Sequence, residues 1–382
     1  MFKTLKGYLT AVILLICTGV LTFLARRYGQ LLDTFYPYVT RQIQSILAAL
    51  SASLPYTLWQ TVVVCMGIAL VGSIVLMIIL RWKFFRWLGW VLAVCSLLWC
   101  LHTGLYGLNF YASPLSEDLR MEQREIDTED LKAALSYFRD KANEVAAQLP
   151  RDEKGDLIFD SFEALAQQAG NGYKNLVAQG ESVFAGSTLP VKRLSWADLY
   201  TSMGICGVTM AITGEAAVNP QTPVMSLPFV MCHEMAHRMC IAMENDANFA
   251  AFLACTANEN LQHQYSGYYM AYRYCYNELY RHDKAALSEI HSQVNETFRH
   301  DLKAYDSFFA RKQNETATKV ATTANNAYIQ ASGDKNGVAS YGQVATQLTS
   351  WYLNLLDEQQ TQQQPFDPLD KDYIDDILGE KE

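Results

Sequence analysis

Residues 230–252 read "VMCHEMAHRMCIAMENDANFAAF", and the fold turns on how this stretch bends. On a helix, positions four apart share a face, so His233 and His237 can each present a ring nitrogen to one ion. Glu234 lies about 100° round the same helix. It sits beside such an ion, placed to take a proton from metal-bound water. A catalytic zinc usually has three protein ligands and an open position. On a continuous helix Glu244 would lie roughly 10 Å beyond His237, out of reach of the same ion. The metal reading therefore requires a chain reversal between Arg238 and Met243, with a returning helix from Glu244. On that helix Glu244 and Asn248 face the same way. Glu244 becomes the third ligand, and Asn248 steadies a histidine ring. Asp246 is the competing ligand. The plain alternative for Glu244-Asn245-Asp246 is an acidic first turn that satisfies the helix dipole.

Working outward, the 382-residue chain has a net charge of −9. Residues 1–106 hold eight Lys/Arg against the single acid Asp33, a balance of +7, so the remainder carries −16. Such an acidic remainder excludes nucleic acid as a partner, because phosphate binding depends on Lys/Arg clusters. Within the basic part, runs 8–25, 57–80 and 84–106 are apolar and long enough to cross a bilayer as helices. A signal peptide competes for the first run, but Arg26-Arg27 stand where a small-residue cleavage site belongs. The amino terminus, Lys3, Lys6, Arg81, Lys83 and Arg86 lie on one side, against Arg26, Arg27 and Arg41 in the 26–56 loop. This bias places the N-terminus in the cytoplasm and everything after residue 106 outside it. The expected localisation is a multi-pass cell membrane protein with an extracytoplasmic C-terminal domain.

The organisation read from the sequence is a three-helix transmembrane region at 1–106, a polar stalk at 107–128, a domain at 129–357 and an acidic polar tail at 358–382. From Glu129 a helical stripe runs through Leu131, Leu135, Phe138, Ala142 and Val145. Further helices are expected near 160–178, from Pro228, and over 244–257, 262–281, 284–310, 312–332 and 341–357. Residues 207–220, "GVTMAITGEAAVNP", form the best strand candidate. The fold class is mainly α with a small β element. Of nine cysteines, Cys206, Cys232, Cys240, Cys255 and Cys275 lie outside the apolar runs, with no disulfide spacing.

Other side chains compete for roles. Cys232 and Cys240 flank the motif as possible thiolate ligands, with packing the stronger reading. In "QHQYSGYYMAYRY", Tyr265 or Arg273 is a candidate electrophile toward a tetrahedral intermediate, although an aromatic stripe of this kind ordinarily fills a core. The remaining histidines, including His263, have no paired spacing.

"HEMAH" followed by "ENDANFAAF" resembles the gluzincin type of zincin metallopeptidase, in which a glutamate on a second helix completes the site. Across about 190–281 the sequence more closely resembles an uncharacterised family of bacterial membrane proteins, classed as a domain of unknown function with a zincin-like signature. A weaker echo lies in "GVASYGQV" near 337–344. The resemblance implies zinc at His233, His237 and Glu244, with Glu234 as general base. One departure is Cys240, where such sequences usually carry glycine. The expectation is thus a membrane-anchored zinc metallopeptidase with a zincin-like domain, acting on a peptide or protein substrate, with Zn2+ as cofactor and the lipid bilayer as partner. The contrasting class is a non-catalytic membrane-anchored binding or scaffold protein with a residual or structural metal site. An intramembrane protease fits poorly, because the apolar run before His233 is too short to bury the site.

Overall fold

In a computed structural model of the chain, the described residues are 2–122, 124–333 and 341–363. Helices α1 (Phe2–Arg27), α2 (Gly29–Asp33), α3 (Tyr36–Ala52), α4 (Leu58–Ile79) and α5 (Phe84–Leu105) come first. Of these, α1, α4 and α5 are long and apolar enough to cross a membrane. Helices α1 and α5 run side by side in parallel. Gly7 meets the backbone at Gly89, where a Cβ would approach to 2.5 Å, and Arg26 reaches the Tyr111 hydroxyl beyond the far end of α5.

The 26–56 segment, read as a loop, is helical. Tyr36, Thr40, Arg41, Gln44, Ala48 and Ser51 form a buried, largely polar face of α3. Arg41 is therefore not a free loop charge: its Nε donates to Met239 O at 3.1 Å and its Nη1 to Ser182 O at 3.3 Å. The 107–128 segment is likewise no stalk. Leu108, Asn109 and Phe110 are buried in a short 3-10 turn. Leu115 and Ser116 are buried on α6 (Leu115–Asp118). The polar composition misled here because Asn109 is satisfied internally, donating to Tyr106 O at 2.9 Å.

The rest is a helical body with one small sheet. It comprises α7 (Thr128–Ala146), α8 (Phe162–Ala178), α9 (Ala197–Ser202), α10 (Leu227–Arg238), α11 (Glu244–Thr256), α12 (Leu261–His282), α13 (Lys284–Ser292), α14 (Glu296–Lys312), α15 (Glu315–Ser332) and α16 (Tyr341–Gln363). Helix α7 opens with a reciprocal cap. The Asp127 side chain accepts from Asp130 N, and the Asp130 side chain accepts from Asp127 N. The core is aromatic, with Phe138, Tyr173, Phe249, Phe252, Tyr269 and Phe298 fully buried. The expected helix over 284–310 is two helices, because Asn295 caps a new one by accepting from Phe298 N. The tail expected from residue 358 begins later, since 358–363 continue α16, and its remainder and the 337–340 part of "GVASYGQV" lie outside the described residues.

The single strand expected at 207–220 is a hairpin of β2 (Gly207–Met210) and β3 (Glu215–Val218), turned at Gly214 with φ +64°. With β1 (Lys192–Arg193) the sheet order is β1-β3-β2, β1 parallel and β2 antiparallel to β3. Strand β2 is thus an edge, and it lies along α10. Buried Glu215 joins the sheet to the apolar helices. Its carboxylate accepts from Leu58 N and Trp59 N in the first turn of α4, and from Lys192 Nζ at 2.8 Å.

Candidate metal centre

Helix α10 ends where the reversal was expected. Ile241 N donates to Ala236 O and Cys240 N to His237 O. This pattern closes a helix on a residue in the left-handed region. That residue is Cys240, at φ +69°. The residue is buried in a cluster with Tyr106, Phe110, Ala242 and Ile329, and its thiol meets the Thr40 and Asn109 side chains. Met243 then leads into α11, which returns with Glu244 in its first turn.

The reversal brings three donors together. The metal-ligating atoms of His233, His237 and Glu244 all lie within 4.8 Å of one another. His233 Nε2 is 3.5 Å from one Glu244 carboxylate oxygen and His237 Nε2 is 3.8 Å from the other. Donors bound tetrahedrally 2.0–2.1 Å from a zinc ion stand about 3.3 Å apart, so the spacing fits such an ion with small adjustment. The proton arrangement on His237 also fits. Its Nδ1 faces the Ile241 carbonyl at 2.9 Å and donates to it, which turns Nε2 toward the centre, where it can bind an ion once the proton it shares with Glu244 has left.

Burial works against charge on all three groups, and they answer by pairing. Despite burial, Glu244 holds the His237 pKa up to about 9. The Glu244 carboxyl is pressed down to about 2 by the two rings, again against the effect of burial. Burial and the neighbouring His237 lower His233 to about 4. Without an ion, the Glu244 charge is answered by a proton on His237.

Glu234 projects to the side of the cluster. Burial raises its pKa to about 7, moderated by His237 and by the Thr209 hydroxyl. Thr209 Oγ1 donates to Glu234 Oε2 at 2.7 Å. Gly207 leaves the room for that carboxylate, since a Cβ there would stand 2.2 Å from Glu234 Oε1. The edge strand and the acid therefore fit together through two β2 residues on the same face. A carboxyl that titrates near neutrality, beside a cluster that could hold a cation and under a strand edge, can accept a proton from water.

Asn248 lies beside the His233 ring and favours its charged form. The Asn248 Oδ1 accepts from Tyr274 at 2.9 Å, while His233 Nδ1 has no hydrogen-bond partner of good geometry among the described residues. Asp246 is turned away, accepting from Leu115 N at 3.1 Å, Asn245 at 3.0 Å and Gln347 at 2.5 Å. Tyr265 and Arg273 are engaged elsewhere on α12. Tyr265 is fully buried and hydrogen-bonded to Asp301, which Arg151 holds in a two-pronged pair. Arg273 pairs with Asp306 at 3.0 Å and stacks on Tyr305. Cys232 is core, 3.7 Å from Cys255 Sγ, and burial raises the Cys240 thiol to about 11. None of these four side chains is brought to the cluster.

Tyr106 escaped sequence reading. It caps the C-terminus of α5, and its hydroxyl lies 3.3 Å from His237 Nδ1. A partner 131 residues away leaves no local signal. Gly207 and Thr209 were visible only as strand residues.

Fold and site together define a mainly helical protein with three apolar helices and a partly buried His-His-Glu cluster between two consecutive helices. The chain belongs to the family described as "Protein of unknown function (DUF3810)", whose model matches residues 32–349. No curated protein and no solved structure matches it.

Proposed function

We propose that this chain is a membrane-anchored zinc metallopeptidase with a zincin-like, gluzincin-type site. The observation that carries the reading is the convergence of His233, His237 and Glu244 beside a buried Glu234 under an edge strand. His233 and His237 from α10 and Glu244 from α11 would hold the ion. A zinc ion bound there supplies Lewis acidity, acidifying a water and polarising a carbonyl. Glu234 accepts the proton of the attacking water and delivers it to the leaving amine. The free edge of β2 pairs with an extended substrate backbone and presents it to the cluster.

Three membrane crossings with the N-terminus cytoplasmic and the domain outside remain the best reading of the topology. With Arg41 buried against the domain, the cytoplasmic positive excess stands against only Arg26 and Arg27 on the other side.

Glu234→Gln tests the assignment. Neither histidine nor Glu244 is changed, so detergent-purified full chain is expected to keep one zinc per chain by elemental analysis. Peptide hydrolysis should fall by roughly 10² or more. A chelator should abolish wild-type hydrolysis, and added zinc should restore it. Wild-type-like turnover in a zinc-loaded Glu234→Gln protein would end the proposal.

A further inference from the structure

Resting on the membrane-anchored reading, we infer that α3 is an interfacial helix whose exposed apolar stripe lies in the lipid bilayer and seats the His-His-Glu cluster at the membrane surface. The helix is inverted relative to an ordinary amphipathic helix on a soluble domain. Its polar side, Thr40, Arg41 and Gln44, is turned into the protein, while its apolar side is turned out. Val39, Ile43, Ile46 and Leu50 recur at intervals of three and four and form one stripe. Ile46 is 61 % exposed and Leu50 70 %, more than a soluble surface ordinarily concedes to adjacent large aliphatic residues. The third side, with Gln42, Ser45 and Ala49, is small or polar.

Continuity with the apolar helices selects lipid as the occupant of the stripe. Helix α3 follows α1 and precedes α4, and it lies against the end of α5. Tyr36 Oη donates to Thr103 O and Gly104 O at 3.1 Å, and at the other end Ser51 O accepts from Lys192, which also reaches Tyr56 O just before α4. The helix therefore bridges the points where α5 leaves, and α4 enters, the apolar layer. A 17-residue helix spans about 25 Å, too short and too polar on one side to cross that layer itself. A second apolar point lies on the same level. Trp196 and Leu199 are more than half exposed beside the first turn of α4, where Ser195 N donates to Gln60 Oε1 at 2.9 Å. An exposed Trp at such a level suits the headgroup zone.

The buried side of α3 holds the site. Arg41 binds Met239 O at the end of α10, and Gln44 Nε2 donates to Ala211 O just past β2 at 2.9 Å. The reversal after His237 and the edge strand are thus fastened to a helix that rests on lipid.

The test uses the full chain in phosphatidylcholine vesicles, with Cys17, Cys65, Cys95 and Cys100 replaced by alanine. A bimane label is placed in turn at Ile46→Cys, Leu50→Cys, Gln42→Cys and, as a span reference, Val71→Cys in α4. Lipids carrying a nitroxide at a shallow or a deep acyl position compete as quenchers with aqueous iodide. Labels at positions 46 and 50 are expected to be quenched at least twofold more by the shallow nitroxide than by the deep one, with little effect of iodide. The label at 42 should respond mainly to iodide, and that at 71 mainly to the deep nitroxide. Iodide quenching at 46 and 50 with normal behaviour at 71 overturns the interfacial helix and leaves the spanning reading intact. Protection of 46 and 50 from both quenchers overturns it too, since protein then covers the stripe. A label at 71 untouched by lipid nitroxides removes the spanning reading, and the inference with it.

Discussion

At the scale of single residues, the proposed zinc site has two candidates for its third ligand, and distance favours Glu244. Glu244 faces both imidazoles, whereas Asp246 uses its oxygens to hold Leu115 N, Asn245 and Gln347. Glu244→Ala should therefore strip zinc from the purified chain. Asp246→Ala should retain zinc but lower the thermal midpoint, because it leaves buried donors unsatisfied at about 1–3 kcal/mol. Elemental analysis read beside thermal unfolding separates the two, and zinc lost from Asp246→Ala with zinc kept in Glu244→Ala would reverse the assignment. His263 makes a different prediction. It is fully buried, and burial lowers its pKa to about 4 although the Leu165 backbone works the other way. Between that value and the ordinary 6.5 the unfolded chain binds a proton that the folded chain does not. Stability contributed by neutral His263 is thus complete above pH 6.5 and lost on acidification toward 4, by up to about 3 kcal/mol. His263→Phe should flatten the fall of the thermal midpoint across that window in detergent solution, and parallel wild-type and variant curves would refute this.

At the scale of elements, the reversal between α10 and α11 was legible because geometry required it. Two histidines and a glutamate seven residues later reach one ion only if the chain turns back, and it does so at Cys240. The helices were legible from their periodic stripes, down to α11 beginning at Glu244. What stayed hidden was placed by long-range contact. The polar face of α3 and the turn at Leu108–Phe110 looked like loop and stalk because their partners come from distant elements. Tyr265 and Arg273 looked available because Asp301 and Asp306, on α14, could not be matched to them from spacing. Cys240 also gives a clear stability test. At φ +69° a Cβ costs about 1 kcal/mol, and the buried thiol returns a similar amount through packing. Cys240→Gly should therefore leave the thermal midpoint nearly unchanged. Cys240→Val adds a branched Cβ to a backbone region that such residues rarely enter, and should destabilise by at least 2 kcal/mol and reduce zinc retention. Equal midpoints for the two variants would mean that the turn does not need this conformation.

At the scale of the whole molecule, the placement of the cluster carries an expectation about substrate. Tyr106, the residue that closes α5, lies against His237, and α3 fastens both the reversal and the β2 end. On the membrane-anchored peptidase proposed above, a site held this close to the ends of apolar helices would meet chains that emerge from the same bilayer more often than chains diffusing in bulk. Anchoring enzyme and substrate in one membrane replaces a bulk concentration with an effective one, which reaches the millimolar range for short flexible connections and falls as they lengthen. The same cleavable sequence should thus be cut at least tenfold faster in reconstituted vesicles when joined by a short linker to a transmembrane anchor than when free in solution. Lengthening the linker should reduce the advantage, while Glu234→Gln should silence both substrates. Equal rates for tethered and free substrate, with Glu234→Gln inactive toward both, would leave the peptidase chemistry in place. Such a result would show that proximity to the membrane positions the protein but does not select what it cuts.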